Sequence, residues 1–167
     1  MMKKLLILLT IVTFINCEHI ESPISFSALD ITYSSGWSKN YSVKITNTGD
    51  VVMQRGRGRK LFYKGQLNQQ ELRKLDSLYS TIPFEKYDSA YIDEDGFDLA
   101  SYKIITSGNK STGVYVYGTR KVPPALRNLM EYIQGIERNI KLAPADTVVS
   151  FRSEKDFYPP SPPLKSN

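Results

Sequence analysis

The sequence contains one cysteine, one histidine and one tryptophan, and these scarcities exclude a good deal of chemistry. A single thiol cannot close a disulfide within the chain or build a cysteine metal cluster. The only histidine, His19, lies two residues after Cys17 in a short polar stretch, "CEHIES". A general base must be held within hydrogen-bond reach of the proton it takes, and such a stretch does not hold it. Ser–His–Asp and Cys–His sets and histidine zinc sites are therefore excluded. Long apolar runs are also missing. The longest, "LLILLTIVTFI" from Leu5 to Ile15, is eleven residues interrupted by Thr10 and Thr13, well short of the roughly 20 needed to span a bilayer. No internal repeat is visible.

What is present at the N-terminus has a definite anatomy. Lys3 and Lys4 precede the apolar run, and Glu18, His19 and Glu21 follow it, which is the arrangement of a secretory signal peptide over residues 1–16. A signal that ends on a cysteine resembles the bacterial lipobox, in which the thiol is diacylated and the peptide is cut just before it. Phe14 stands where Leu is usual and Asn16 where a small residue is expected; Asn before the cysteine is similar to Bacteroidota-type lipoproteins. The resemblance implies that Cys17 is the lipidation site and the mature first residue. Two acyl chains anchor stably where one binds only marginally. An ordinary signal peptide with an incidental cysteine is the alternative.

The 151 residues after residue 16 suffice for one domain with a single core. Without Lys3 and Lys4 the formal charge falls from +5 to about +3, too mild to argue for nucleic acid. Residues 39–74 hold nine Lys or Arg against Asp50 and Glu71, whereas residues 76–98 hold seven acids against Lys86. Solvated loops of opposite sign account for this pattern.

Period-two alternation begins near Phe26. "FSALDITY", "YSVKITNTG", "VVMQR" and "RKLFYKG" read as three or four strands joined by hairpins at "NTGD" and "GRG". Asn68 and Glu71 then form a capping-box pattern, with Leu67 and Leu72 as a staple across the first turn. Leu72, Leu75, Leu78, Tyr79 and Ile82 recur at helical spacing until Pro83. An acidic loop follows, and "SYKIITSGNKSTGVYVYG" reads as a hairpin. After Pro123 and Pro124, Leu126, Leu129, Met130, Ile133, Ile136 and Ile140 mark one face of a second helix, with Arg127, Glu131, Gln134 and Arg138 outward. The expected fold is α+β: an antiparallel sheet of about five to six strands with two helices packed on one face. Residues 17–27 are expected as a lipid-anchor tether and residues 28–142 as a single domain. Residues 143–167 are expected as a tail, with an edge strand in "APADTVVSF" and then a Pro-rich disordered end.

The runs "SGWSKNYSVKI", "GDVV", "LFYKGQLNQQELRKL", "YDSAYIDEDGFD" and "VPPALRNLMEYIQGIE", in that order, resemble a family of Bacteroidota exported domains of unknown function. The likeness covers about residues 28–141 and rests chiefly on Gly36, Tyr41, Gly49, Gly65, Pro124 and Leu126. In that family the loop before the second strand often carries a cysteine pair and a proline; Trp37 and Asn40 stand there in this chain. The family carries no assigned activity, so the resemblance implies a fold type and an envelope location.

Candidate sites are few. Asp93, Asp95 and Asp98 raise a Ca²⁺ question, because Ca²⁺ takes six to eight oxygen ligands; the spacing fails the EF-hand, leaving a looser site or a solvated turn. "RGRGRK", with Arg55, Arg57, Arg59 and Lys60, lacks the Lys-Ser/Thr end of a phosphate loop and reads as a charged hairpin tip that discourages edge pairing or contacts an anionic surface. Tyr33, Trp37, Tyr41, Tyr115 and Tyr117 are core residues or an aromatic recognition face. "PPSPP" has polyproline II character. No catalytic residue, metal ligand or cofactor is assigned. The expected function is a lipid-anchored cell-envelope module, in the outer membrane, that binds an envelope protein or ligand without catalysis, with the membrane as partner through Cys17 and no nucleic acid. A carboxylate-based hydrolase, or a small-ligand or Ca²⁺ binding domain, is the alternative.

Overall fold

Strand alternation in the N-terminal half builds the centre of one sheet. A computed structural model describes residues 22–35, 40–56, 58–96, 98–108, 111–155 and 157. The strands are β1 (Ala28–Ser34), β2 (Asn40–Thr46), β3 (Asp50–Arg55), β4 (Leu61–Gln66), β5 (Ala90–Ile92), β6 (Ser101–Ser107), β7 (Thr112–Tyr117) and β8 (Ala143–Ala145), and the helices are α1 (Gln69–Ser80) and α2 (Pro124–Asn139). They form a mixed α+β fold with one eight-stranded sheet in the order β5-β7-β6-β1-β2-β3-β4-β8.

The sheet is larger than the five to six strands expected. The surplus is β8, three residues that open the edge strand expected in "APADTVVSF", and β5, three residues that are too short to show an alternation of their own. β5 lies within the stretch read as an acidic loop and pairs with β7 in parallel, the one parallel pair in the ladder described; all other neighbours are antiparallel.

Register fixes which side chains share a face. Leu29, Ile31 and Tyr33 of β1 stand opposite Ile45, Val43 and Tyr41 of β2, and Ile31 is also opposite Ile104 of β6. Val43 and Ile45 continue to Met53 and Val51, and Ile104 to Val114. These residues form one buried cluster with Leu72 and Leu75 of α1 and with Leu126, Leu129, Ile133 and Ile136 of α2. Burying such a side chain contributes roughly 1.5–3 kcal/mol each. With no disulfide to help, this layer is the principal source of stability.

The helix starts follow the residues that open them. In α1 the Glu71 N–H donates to Asn68 Oδ1 at 2.9 Å, and the Asn68 N–H donates to Glu71 Oε2 at 2.8 Å. Both halves of the capping box are formed, and Leu67 and Leu72 on either side are buried. α2 opens with Pro124 in its first turn, where a missing N–H costs no hydrogen bond. Arg127 reaches back and donates from Nη2 to the Thr119 carbonyl at 2.9 Å and to the Val122 carbonyl at 3.2 Å. Gln134, read as outward, instead donates to the Tyr102 hydroxyl.

Two segments flank the sheet. Residues 22–27 run along α1: the Ser25 N–H donates to Asp76 Oδ1 at 2.7 Å, and Phe26 is buried edge-on to Tyr79. Near the other end of the chain, residues 150–155 and 157 lie on the sheet face that the helices leave uncovered. That face carries the polar half of the alternation.

A polar sheet face and the segment that covers it

Opposite the core, register gathers Asp30 and Thr32 of β1, Lys44 and Ser42 of β2, Gln54 of β3 and Lys103 of β6. Six polar side chains on adjacent strands would ordinarily face water. Here Asp30 is 2% exposed, and Thr32, Ser42 and Gln54 are also buried. Burying such groups without partners costs several kcal/mol each, so the segment above them must supply those partners.

It supplies them residue by residue. The Lys44 ammonium donates to the Ser150 carbonyl at 3.0 Å and lies 5.7 Å from the Phe151 ring centroid. Asp30 accepts from the Arg152 N–H at 2.8 Å and the Ser153 N–H at 3.2 Å, and also from the Ser153 hydroxyl. Lys44 stands 3.5 Å from the same carboxylate. The Ser153 hydroxyl is 2.8 Å from that of Thr32, which is 2.9 Å from that of Ser42. Glu154 accepts from Ser42 at 2.8 Å, from the Gln54 amide, and from Lys60 at 3.0 Å. Lys103 donates to the Lys155 carbonyl. Arg152 turns outward and donates to the hydroxyls of Ser107 at 3.1 Å and Ser111 at 3.0 Å. Hydrogen bonds to ionised groups are the strong ones, and the Asp30 and Glu154 carboxylates lie on opposite sides of the contact: one on the sheet, one on the segment.

Beside this contact a cleft of about 560 Å³ opens at the far end of β1 and β2, lined among others by Tyr33, Asn40, Tyr41, Gln54, Lys60 and Glu154. A wider groove of about 1140 Å³ lies at the near end, between Pro23–Ser27 and the end of α1, with Phe84 and Glu85 on its rim.

The predicted site residues are dispersed. Of the acidic loop, Asp93 is 6% exposed, and both its oxygens accept from the Arg120 guanidinium, at 3.0 Å from Nε and in a second contact from Nη2. Asp95 approaches the same Nη2 at 3.4 Å. These hydrogen bonds hold the Asp93 carboxyl below the usual carboxylate range, against the opposing effect of desolvation. The positive charge at this position is thus Arg120, and Asp93 is part of a latch rather than a solvated turn. Gly118 makes room for it: its φ is +75°, and a Cβ there would lie 2.7 Å from that of Asp93. Asp98 adopts the left-handed region at φ 56°, which Asp tolerates better than most residues. Among the described residues no group of three or more His, Cys, Asp and Glu is arranged to hold a metal ion.

The basic tip is likewise divided. Arg55 packs over the Tyr63 ring at 4.9 Å and donates from Nε to Met53 Sδ at 3.4 Å; Lys60 pairs with Glu154; Arg59 is exposed. Arg57, Trp37 and Cys17 lie outside the described residues, as do the signal segment 1–16 and the "PPSPP" stretch. The tyrosines proposed as one recognition face divide between two. Tyr33 and Tyr41 stack at 5.0 Å on the core side, whereas Tyr115 and Tyr117 share the polar side with Lys103 and Ser101, Tyr115 meeting Phe157 edge-on at 6.1 Å. Burial pushes the Tyr102 phenol upward, although the Gln134 hydrogen bond opposes the shift.

Sequence reading missed the whole constellation of Asp30, Thr32, Ser42, Gln54, Ser153 and Glu154. No signal in the sequence set them apart, because an aspartate and two hydroxyls on the polar phase of a strand are also what a solvated face carries.

A family model described as a domain of unknown function, DUF6438, matches residues 25–137, which takes in the sheet from β1 to β7 and nearly all of α2 but not the covering segment. A comparison with curated proteins finds no match.

Proposed function

The chain belongs to the DUF6438 family of domains of unknown function, and we propose that it is an exported, lipid-anchored envelope protein whose domain binds a partner and does not catalyse a reaction. The observation that carries the binding part is the polar sheet face, which holds a peptide segment through both its backbone and its side chains. Recognition of that kind, with main-chain groups giving affinity and side chains specificity, is how peptide-binding surfaces work.

The anchor rests on sequence. The basic pair, the apolar run and Cys17 resemble Bacteroidota lipoprotein signals, and Cys17 precedes the first described residue, Ser22, by five positions. Five residues span at most about 18 Å, so an anchored domain stays near the bilayer. The chain enters at the end of the sheet where β1 begins; the tip between β3 and β4 is at the other end, since Arg55 pairs with Tyr41 and Leu61, and Asn40 with Ser34. Seven residues of strand make that separation roughly 23 Å. In an upright domain the tip therefore points away from the anchoring membrane, which favours the acidic surface of a neighbouring envelope protein over lipid as its contact.

Cys17→Ser is expected to release the protein from the membrane fraction, or to leave an uncleaved precursor, and to abolish labelling by a fatty-acid analogue. Unchanged labelling refutes the anchor. Cross-linking in native envelope followed by mass spectrometry tests the binding reading, which fails if no specific partner is trapped. The 560 Å³ cleft, with tyrosines and the Lys60–Glu154 pair on its wall, favours a second reading as a small-ligand site; saturable binding of a small solute lost in Lys60→Ala would select it.

A further inference from the structure

Three features of residues 151–155 stand together. They lie beyond the family-matched region, which ends at residue 137. They are joined to α2 by residues 140–150, of which only Ala143–Ala145 pair with a strand, at the sheet's edge. What they cover is polar: Asp30, Thr32, Ser42, Lys44, Gln54 and Lys103, against which the segment buries one large apolar side chain, Phe151, at 3% exposure. A permanently covered sheet face gains most from apolar side chains, whose burial needs no matching partner. A face that is uncovered part of the time has to be wettable, and this one is.

We propose that residues 151–155 are a detachable intramolecular ligand of this face, and that the face also takes the same segment from a second copy of the chain. The chemistry is specified on both sides. The face offers the Asp30 carboxylate to two consecutive N–H groups and a hydroxyl, and offers Ser42, Gln54 and Lys60 to a carboxylate. Arg152, Ser153 and Glu154 match that pattern, and every copy carries both halves. Exchange between two copies makes no contact that one copy lacks, and it closes symmetrically, each face taking the other's segment. The eleven residues 140–150 extend to about 36–40 Å at most, which reaches a neighbouring molecule. The inference deepens the binding reading above and is independent of the lipid anchor.

The test uses the chain from Glu18 onward, which contains every described residue and no cysteine. Two single-cysteine chains are made, Thr32→Cys and Ser153→Cys, whose side-chain oxygens are 2.8 Å apart in one copy. Under mild oxidation the mixture is expected to form a disulfide heterodimer at least about tenfold faster than either chain alone, or than Ser153→Cys mixed with Thr48→Cys. A synthetic peptide of residues 148–157 in excess is expected to suppress it. Equal rates in all mixtures overturn the proposal, as does indifference to the peptide. Hydrogen exchange on the unsubstituted chain gives an independent measure if a cysteine variant fails to fold: the Arg152 and Ser153 amides are expected to exchange at least about tenfold faster than those of the central strands β1 and β2. Exchange of these amides only with global unfolding shows that the segment does not detach. A specific envelope partner trapped by cross-linking, together with no heterodimer, sinks this inference and leaves the binding reading standing.

Discussion

Asp30→Ala puts the polar contact to its most direct test. In the intact protein this 2% exposed carboxylate accepts from the Arg152 and Ser153 N–H groups at 2.8 and 3.2 Å. Hydrogen bonds to a charged group contribute about 1.5–3 kcal/mol each, so two of them set a ceiling of about 3–6 kcal/mol. The Ser153 hydroxyl adds little to the loss, because Thr32 remains beside it at 2.8 Å. The ceiling is not reached if the segment can lift, since water then satisfies both amides and the loss stops at the free energy of docking. We therefore expect Asp30→Ala to lower stability by about 2–4 kcal/mol in urea unfolding of the full chain. In a chain ending at Thr147, the same substitution is expected to change stability by less than about 0.5 kcal/mol, the range of ordinary surface changes. The two perturbations share one contact and must be non-additive. An equal loss in both chains refutes the reasoning, because it assigns the role of Asp30 to something other than the covering segment. No loss in either shows that the contact carries no weight.

Leu75→Ala, at a site with 0% exposure, is expected to cost about 2–5 kcal/mol, against about 0.5–2 kcal/mol for Asn68→Ala; urea midpoints at unchanged slope would rank them, and the reverse order contradicts the packing of α1. The Asp93 carboxyl, held down by Arg120, is expected to titrate below 3.8 when followed by NMR, and to move upward in Arg120→Gln. Its folded pKa is below its unfolded one, so the stability it contributes is present above the unfolded pKa and is lost as pH falls through the folded one; a midpoint unmoved by the substitution refutes the latch. Burial and neighbouring charge raise Tyr102, so in a titration followed by tyrosine absorbance one phenol is expected to stay protonated past about pH 10, where free tyrosine ionises; all phenols ionising together near pH 10 contradicts its burial.

Most of the fold was legible because its signals are local or periodic. The α1 start was readable from Asn68 and Glu71, since a capping box is a contact between residues three apart. The apolar phase of β1, β2 and β3 was readable as alternation, and the stripe of α2 as helical period. β5 was not, because Ala90–Ile92 has three residues, adjacent to an acidic run and paired in parallel with a strand more than twenty positions away. The latch was half visible. Asp93 stood out in a cluster of acids, but its partner Arg120 is 27 residues on, and charge counting along the chain assigns no pairs.

The candidate site was hidden for a deeper reason. Alternation tells which side of a strand is apolar and therefore faces the core; it leaves open whether the other side meets water or protein. Asp30, Thr32 and Ser42 are the residues a solvated sheet face would carry, and they would read the same with nothing above them. Nor does "SFRSEKDF" betray its docking, because its anchoring groups are two backbone amides, a hydroxyl and a carboxylate, and a short turn at Arg152–Glu154 has no period to detect. The one apolar signal, Phe151 at 3% exposure, is indistinguishable in sequence from a lone aromatic in a tail. Polar recognition between segments more than a hundred residues apart leaves almost no trace in one sequence, because each half is ordinary surface chemistry until the other is set against it. The same property is what allows the two halves to part without leaving an apolar wound, and so ties the concealment of this site to the use proposed for it.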